Sequence, residues 1–405
     1  MKQRKIKGKQ KSSQKTHTEI IKNNNINNER KVLECSQAIA EAVRLCRPGV
    51  IAAYPITPQT HIVEQLAEFE SHGKLHSRYI NVESEHSAMS ACIGAQAAGV
   101  RTFTASNSQG LALMSEMLFI ASGMRLPIVM AISNRALSAP INIWNDQSDT
   151  IAQRDSSWIQ LYCESSQEAF DTTIQSYKIA EKCLLPVMIC VDGFTLSHVW
   201  EPVMTLNQED VDSFLPSYNP TNKLDIENPI TFGPIGGPAS YIYFKKQQQE
   251  AMNESVYIIK QANSEFSRKF SRAYGDGLIE SYKLENADSA IVAMGSVCGT
   301  IRTVIDELRK KGKKIGMLKV KCFRPFPNEE ILKTCKNLKN IAVIDKDISF
   351  GNAGALFTEI KAALKDTNVK INNFIAGLGG RDITQEDILK IYSKLGQKEE
   401  IEWIL

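Results

Sequence analysis

Short apolar runs alternate with amphipathic segments along most of the chain. Each run is roughly five residues long, and most lack the strict alternation of a half-exposed strand, which is typical of strands buried on both faces. The segments between them repeat apolar residues at helical spacing, as in Ile62, Leu66 and Phe69. Strands are predicted at 50–54, 79–82, 101–105, 128–132, 187–191, 290–294, 315–320, 341–345 and 373–376. This alternation predicts an α/β fold with doubly wound parallel sheets.

Breaks in the alternation divide the chain into four segments. Residues 1–31 are polar and basic, and we expect a disordered tail because they cannot bury apolar surface. Residues 32–203 are predicted to form a first α/β domain and residues 286–405 a second one. Residues 204–285 are rich in proline and glycine and contain a polar helical stretch near 245–272, so we interpret them as an inter-domain arm.

Composition argues against several functional classes. The formal net charge is only +3, so it does not favour a nucleic-acid or membrane-binding protein. The apolar runs are far shorter than the roughly 20 residues that span a bilayer. The nine cysteines are scattered, with no CxxC pair and no count that fits a disulfide framework, which indicates a reduced, cytoplasmic protein. The same scatter argues against iron–sulfur ligation within this chain.

The segment after the first predicted strand is a sharp turn with the sequence YPITP at residues 54–58. Thr57 is placed to cap the following helix, and Pro58 to be its first residue, where a missing N–H costs nothing. In an open parallel sheet, ligands bind outside the carboxyl ends of the strands, where this turn lies. A capped structural turn and a ligand site are equally compatible with this segment alone.

Polar side chains follow each predicted strand of the first domain. Because the carboxyl ends of parallel strands share one edge of a sheet, these side chains are expected to gather in one cleft. The residues are Thr57, Glu83, Glu85, His86, Ser106, Asn107, Ser108, Gln109, Asn134, Arg135 and Asp192.

Two of these residues have side chains suited to chemistry in such a cleft. Glu85 opens a helix of small apolar residues, where it either complements the helix dipole or holds a proton in the cleft. Arg135 has the donors to bind a carboxylate or a phosphate, although surface arginines are common. No metal site is predicted, because His86 has no partner at ligand spacing and His72 and His76 flank a probable loop.

Several familiar motifs are missing from the sequence. There is no GxGxxG after a strand and no GxxxxGK[ST], so nucleotide binding of those types has no support. There is also no GxSxG, which removes the usual nucleophile elbow. The residues by themselves therefore predict an enzyme-like α/β protein with a polar cleft that contains Thr57, Glu85 and Arg135.

Seven stretches together resemble the α subunit of the pyruvate:ferredoxin oxidoreductase family, which uses thiamine diphosphate. They occur in the family's order and cover nearly everything from residue 32 to residue 395. Each is modest alone, but the set is specific. The stretches are 54–60 (YPITPQT), 83–88 (ESEHSA), 108–111 (SQGL), 134–140 (NRALSAP), 144–146 (WND), 323–327 (FRPFP) and 377–382 (GLGGRD).

The resemblance implies a thiamine diphosphate-binding domain of the pyrimidine type, followed by a domain similar to the C-terminal domain of transketolase. By its place in the motif, Glu85 matches the glutamate that hydrogen-bonds the aminopyrimidine ring and activates the cofactor. Thr57 and Arg135 match residues that contact the 2-oxoacid, and Pro55 and Ile56 fall at cofactor-binding positions. An arginine can hold a substrate carboxylate as a bidentate pair.

The chain also lacks parts that the family's reaction needs. Its one Gly-Asp-Gly, at residues 275–277, does not match the spacing of the family's magnesium and diphosphate motif, so we interpret it as a turn. The resemblance therefore implies a split form, in which β, γ and δ subunits complete the complex. Thiamine diphosphate would be shared with the β subunit, and Mg²⁺ and the iron–sulfur clusters would lie on partner subunits. This chain would be inactive alone.

The predicted reaction is the conversion of pyruvate and CoA to acetyl-CoA and CO₂, with electrons passed to ferredoxin. The α subunit of a branched-chain 2-oxoacid enzyme carries nearly the same motifs and remains an alternative. A non-catalytic assembly subunit is a second alternative, although the intact Thr57, Glu85 and Arg135 argue against it. Nucleic-acid binding through the basic tail has no support from the folded part.

Overall fold

Two sheets form the framework of the chain, and helices cover both faces of each. The computed structural model describes residues 29–397 and 401–405. In the first half of the chain the elements are β1 (Glu29–Glu34), α1 (Cys35–Cys46), β2 (Val50–Ala53), α2 (Thr60–Ser71), β3 (Arg78–Asn81), α3 (Glu85–Ala97), β4 (Thr102–Ser106), α4 (Ser108–Leu113), α5 (Ser115–Gly123), β5 (Val129–Asn134), α6 (Ser148–Ala152), β6 (Ile159–Tyr162), α7 (Ser166–Cys183), β7 (Val187–Asp192), β8 (Trp200–Thr205) and α8 (Gln208–Phe214).

The second half begins with a long helix that leads into the second sheet. Its elements are α9 (Pro238–Phe270), β9 (Ile279–Tyr282), β10 (Ser289–Ala293), α10 (Val297–Lys310), β11 (Ile315–Val320), β12 (Cys322–Arg324), α11 (Asn328–Cys335), β13 (Asn340–Asp345), α12 (Ala355–Ala363), β14 (Lys370–Ile375), a 3₁₀ turn (Leu378–Gly380), α13 (Gln385–Ser393) and β15 (Ile401–Trp403). Among the described residues, no helix combines the length and the apolar content needed to cross a bilayer.

The first sheet has the strand order β12-β6-β7-β5-β4-β2-β3 in the described part of the chain. Neighbouring strands are parallel except for β12, which is antiparallel to β6. β5 and β7 are buried along their whole length, which explains their unbroken apolar runs. Helices α1, α2 and α7 cover one face, and α3 and α5 cover the other. The carboxyl ends of the parallel strands therefore lie at one edge of this sheet.

The second sheet has the strand order β15-β14-β13-β10-β11-β9, with β9 antiparallel to β11. Helices α10 and α13 pack on one face, and α11 and α12 pack on the other. That second face continues into the core of the first sheet, where Val320 and Phe323 share one apolar cluster with Met188 and Cys190. The two sheets therefore share a continuous core.

A buried ion-pair cluster also joins the two halves of the chain. Glu168 on α7 accepts a hydrogen bond from Lys319 Nζ (2.6 Å) and lies 3.2 Å from Lys321 Nζ. Burial raises the pKa of Glu168, but the two lysines outweigh burial and lower it to about 2. Charges this deeply buried are tolerated because they neutralise one another.

The start of the chain departs from the prediction at residues 29–31, which belong to β1 rather than to a disordered tail. β1 pairs antiparallel with β8, which is likewise not predicted. Most of β1 is exposed or half-buried, so hydropathy gives no signal for it. The rest of the predicted tail, residues 1–28, lies outside the described residues.

Four further strands, β6, β9, β12 and β15, are missed, and two of them cross the predicted segment boundaries. Gln160 interrupts the apolar run of β6, although its Nε2 donates to the Thr150 carbonyl oxygen (2.8 Å) within the core. β12, from the predicted second domain, joins the first sheet, and β9, from the predicted arm, joins the second. Both are short edge strands, whose pairing depends on the backbone more than on apolar side chains. The domain boundaries themselves stay predictions.

Candidate active site

The turn after β2 is tied to the neighbouring strand β4 by two side chains. Gln59 is buried, and its Nε2 donates to the carbonyl oxygens of Tyr54 (3.1 Å) and Ala105 (2.9 Å). Asn107, directly after β4, donates from Nδ2 to the Ile56 carbonyl oxygen (3.1 Å). The turn is therefore held in place over the carboxyl ends of two adjacent strands.

The predicted helix cap at Thr57 is wrong. The Gln59 N–H donates to the Ile56 carbonyl oxygen (2.9 Å), so a turn closes first and α2 begins only at Thr60. Pro58 lies within this turn and is not a helical residue, and the Thr57–Pro58 peptide bond is cis. Because it is not used as a cap, the exposed Thr57 side chain is available to a ligand.

Glu85 is the first residue of α3 and is only 6% exposed. The helix begins there because the Ser84 hydroxyl accepts a hydrogen bond from the Ser87 N–H (3.3 Å). A Cβ at Gly110 would lie 2.5 Å from both Glu85 Oε1 and Ser106 Oγ, so the absence of a side chain at 110 lets the carboxylate pack closely against α4. The Ser106 hydroxyl is buried and has no hydrogen-bond partner in the described part of the chain.

Arg135 is joined to the turn that carries Thr57. Its Nη1 donates to the Thr57 carbonyl oxygen (2.8 Å) and its Nε donates to the Asn142 carbonyl oxygen (2.9 Å). Burial lowers the pKa of the guanidinium and Asp149 raises it, but an arginine stays charged in proteins. The structure therefore brings Arg135 beside Thr57, as the sequence predicts. The contact between them is made through the backbone carbonyl group of Thr57.

Asp149 on α6 organises the loops at the ends of β4 and β5. Its Oδ2 accepts from the backbone N–H groups of Ser108 (2.9 Å) and Arg135 (3.0 Å), and its Oδ1 accepts from Asn134 Nδ2 (2.7 Å). Ser108 has a φ of 44°, an unfavourable conformation for a residue with a side chain, and the contact from Asp149 helps to hold it. Asp149 is thus a positioning residue for Arg135.

Burial raises the pKa of Asp149 to about 6, against the opposing effect of those hydrogen bonds. Asp149 is absent from the predicted site residues because it lies on the short helix α6, away from any strand end. No signal in the sequence identifies it, because its partners are backbone N–H groups of two other loops.

The second half of the chain closes one end of this strand edge. Asp192, the last residue of β7, accepts a hydrogen bond from the Ser296 N–H (2.8 Å) and forms an ion pair with Lys346 Nζ (3.0 Å). Burial raises the pKa of Asp192, but Lys346 and Ser296 lower it below its ordinary value overall. Asp192 is therefore a structural link between the two sheets.

Two of the quoted sequence motifs meet at the same edge. Asn142 Nδ2 donates to the Gly379 carbonyl oxygen (3.1 Å), and the Gly379 N–H donates to Asp146 Oδ2 (3.3 Å). A Cβ at Gly380 would lie 2.3 Å from Trp144 Cβ, and Gly380 has a φ of 83°. Both the close approach and the backbone conformation require glycine there.

The structure brings the predicted site residues to neighbouring loops. Thr57 and Arg135 are in contact, and Ile56 is bonded to the loop that follows β4. Glu85 lies beside the end of β4, against residues 106 and 110. Pro55 is exposed on the same turn. Their individual roles stay predictions.

Comparisons with known proteins place this arrangement in a family. Residues 41–264 match the family model described as "Pyruvate flavodoxin/ferredoxin oxidoreductase, thiamine diP-bdg", and residues 287–388 match "Pyruvate:ferredoxin oxidoreductase core domain II". The chain belongs to the pyruvate flavodoxin/ferredoxin oxidoreductase family. Its first α/β unit is thus a thiamine diphosphate-binding domain, which confirms the predicted family and fold class.

Relatives of this family match along nearly the whole chain. "Pyruvate synthase subunit PorA" of Methanocaldococcus jannaschii is 57% identical, over 91% of this chain and 96% of its own length. The protein of the same name from Methanothermobacter thermautotrophicus is 53% identical, over 92% and 97%. "Ketoisovalerate oxidoreductase subunit VorA" of Pyrococcus horikoshii is 47% identical, over 92% and 97%.

Solved structures agree with the fold. The 2-oxoglutarate:ferredoxin oxidoreductase from Magnetococcus marinus has a TM-score of 0.72 at 20% identity, and the match covers 90% of this chain and 65% of that one. A split-gene transketolase has a TM-score of 0.53 at 10% identity, with coverage of 89% and 96%. The transketolase-like architecture of the prediction is confirmed at the level of the fold. The cytoplasmic location stays a prediction.

Proposed function

We propose that this chain is the α subunit of a pyruvate synthase, a pyruvate:ferredoxin oxidoreductase. The complex would convert pyruvate and CoA to acetyl-CoA and CO₂ and pass the released electron pair to ferredoxin. The observation that carries this proposal is the ranking of the relatives. Six pyruvate synthase subunits are 49–57% identical to this chain, whereas two ketoisovalerate oxidoreductase subunits are 45–47% identical.

Glu85 would hold the aminopyrimidine ring of thiamine diphosphate. The residues present fit that role, because the Glu85 carboxylate is buried at the end of β4, in close contact with Gly110 and beside the unpartnered Ser106 hydroxyl. A carboxylate in such a sheltered place can accept and return a proton at the ring nitrogen. When bound, the cofactor supplies the stabilisation of the carbanion that remains after decarboxylation. Pro55 and Ile56 would line the cofactor on the facing turn.

Arg135 and Thr57 would orient the 2-oxoacid. Two of the guanidinium donors of Arg135 hold backbone carbonyl groups, and its Nη2 has no hydrogen bond within the part of the chain that the structure describes. That group can bind the substrate carboxylate, with the exposed Thr57 hydroxyl as a second donor. Fixing the carboxylate positions the scissile carbon–carbon bond relative to the cofactor.

The remaining parts of the reaction would come from β, γ and δ subunits. In support of this, all nine cysteines are free and buried, where they act as small apolar residues. The Gly275–Gly277 segment is a turn, in which Asp276 Oδ1 accepts from the N–H groups of Leu278 and Ile279 (2.9 Å each). We therefore place Mg²⁺ and the iron–sulfur clusters on partner subunits and the active site at an α–β interface. A cytoplasmic location accompanies this proposal.

The proposal is tested by purifying the complex from its native source through this chain. Reduction of an electron-accepting dye is then measured with pyruvate and with 2-oxoisovalerate in the presence of CoA. We expect kcat/KM to be at least about tenfold higher for pyruvate, the range in which pockets discriminate small apolar groups. The reverse preference would identify a branched-chain enzyme. No reduction with either acid would favour a non-catalytic assembly subunit.

A further inference from the structure

A carboxylate and two imidazoles meet beside the candidate active site. Glu34, His61 and His198 each offer one ligand atom, and these atoms lie within 4.8 Å of one another. His61 Nδ1 is 3.0 Å from both carboxylate oxygens of Glu34, and His198 Nδ1 is 3.8 Å from Glu34 Oε1. The three residues come from the end of β1, the first turn of α2 and the β7–β8 connection, so the fold alone brings them together.

The charge of Glu34 has no strong cation to balance it. The residue is 6% exposed, and no lysine or arginine pairs with its carboxylate within residues 29–397 and 401–405. A buried carboxylate without a cation is costly. The only nearby groups in those described ranges that could carry positive charge there are the two histidine rings, or an ion that they bind.

The histidines are suited to bind a metal rather than to carry a proton. The two rings face each other, with centroids 4.4 Å apart, and two protonated rings at that distance would repel. Neutral imidazole nitrogens with one carboxylate are a common ligand set of Zn²⁺.

We propose that Glu34, His61 and His198 bind a Zn²⁺ ion. Ligand atoms of a tetrahedral zinc lie about 3.4 Å apart, given metal–ligand distances of about 2.0–2.2 Å. The two separations between Glu34 and the histidines, 3.0 and 3.8 Å, bracket that value, and the two histidine ligand atoms lie within 4.8 Å of each other. A fourth position is left for water. The sequence predicts no metal here, because the ligands are far apart along the chain.

Packing around His198 connects the proposed site to the active-site loops. Ser197 Oγ lies 2.8 Å from His198 Nδ1, a contact that a bound ion would replace at this nitrogen, and it accepts a hydrogen bond from the Phe194 N–H (2.9 Å). The Phe194 ring packs between His198 and Trp144, with centroids 4.6 Å from each. His61 follows the Tyr54–Thr60 turn directly. The ion therefore acts as a structural link that fixes this turn to the β7–β8 connection.

The test uses the full chain, freed of metal with a chelator and then titrated with Zn²⁺ by calorimetry. A second titration with Co²⁺, monitored by the visible absorption of the ion, reports independently whether nitrogen and oxygen atoms bind it. We expect one ion per chain and a higher melting temperature with Zn²⁺. His61→Gln and His198→Gln should each weaken binding at least about tenfold, the lower limit seen even for residues behind the ligands.

His72→Gln is the matched control, since His72 is exposed at the end of the same helix and lies 3.7 Å from Glu68. It should bind Zn²⁺ as the unaltered chain does. His61 is about half exposed, so its replacement leaves the fold intact, and the melting temperature of the metal-free variant checks this. Absence of Zn²⁺ binding, or equal binding by His61→Gln and the unaltered chain, would overturn the proposal. None of these measurements depends on pyruvate turnover.

Discussion

At the scale of single residues, the position of the Glu85 carboxylate depends on the absence of a side chain at Gly110. The carboxylate is buried against a position where any side chain would meet Glu85 Oε1 and Ser106 Oγ at 2.5 Å. Gly110 lies within helix α4, where alanine is intrinsically more favourable by about 1 kcal/mol. The glycine therefore costs helix stability, and the close approach of the Glu85 carboxylate to α4 accounts for it.

Gly110→Ala should lower turnover of the reconstituted complex at least about tenfold, because a methyl group displaces the proton-transferring carboxylate. The chain itself should still fold, since helix propensity rises. Dye reduction with pyruvate and thermal unfolding measure the two effects. Gly94→Ala is the control, because nothing lies within 4 Å of a Cβ built there. Equal turnover rates for the two variants would show that the absence of a side chain at residue 110 does not matter for catalysis.

The candidate residues differ in how far the sequence reveals them. Glu85 and Arg135 follow predicted strands, so the rule for parallel sheets is enough to bring them to one edge. The role of Asp149 could not be predicted, because its partners are backbone N–H groups in loops whose path depends on tertiary packing. Thr57 lies at the predicted edge of the sheet, but the prediction that it caps α2 is wrong, since the helix starts at Thr60.

At the scale of elements, Asp149 connects the loops that follow β4 and β5. An asparagine at this position keeps one acceptor oxygen and directs an NH₂ group at N–H donors. Asp149→Asn should therefore misplace Arg135 and lower kcat/KM for the 2-oxoacid at least tenfold or so, with a loss of stability of about 1–3 kcal/mol for the unsatisfied groups.

Substrate kinetics and denaturant unfolding measure these two effects of Asp149→Asn. Asp155→Asn, at an exposed position shortly after α6, is the control and should change neither quantity. A variant that loses stability but keeps the KM for pyruvate would contradict a positioning role for Asp149.

Strands were predictable from the sequence where both of their faces are buried. β5 and β7 are covered on both faces, so their sequences are almost entirely apolar and their positions follow directly. β1, β8, β9 and β12 pair only at edges or in a two-stranded ribbon, and their side chains carry little hydrophobic signal. β6 is interior, but Gln160 donates from its Nε2 to a carbonyl group inside the core, which a hydropathy pattern cannot show.

At the scale of the whole molecule, a shared apolar core and the Glu168 cluster hold the two sheets together. The pKa of Glu168 is about 2 in the folded chain, against an ordinary value of 4.5. Since the folded-state pKa is lowered, the stabilisation is present above pH 4.5 or so and is lost as the pH falls toward 2. A difference of this size corresponds to about 3 kcal/mol.

Glu168→Gln should therefore destabilise the full chain near pH 7 by about 3 kcal/mol and reduce the loss of stability between pH 5 and 3. Denaturant unfolding across that pH range measures both effects. Glu227→Gln removes an exposed carboxylate from the connection before α9 and should leave the profile unchanged. A profile for Glu168→Gln that runs parallel to that of the unaltered chain would contradict the role of this cluster.

The central claim is that this chain contributes the cofactor-activating carboxylate of a shared active site. The direct measurement is pyruvate-dependent dye reduction by the reconstituted complex carrying Glu85→Gln, beside Glu83→Gln, which alters an exposed neighbour on the same loop. We predict that Glu85→Gln lowers turnover at least about a hundredfold, as expected for lost acid–base function, while Glu83→Gln is unaffected. A near-normal rate with Glu85→Gln would contradict the claim.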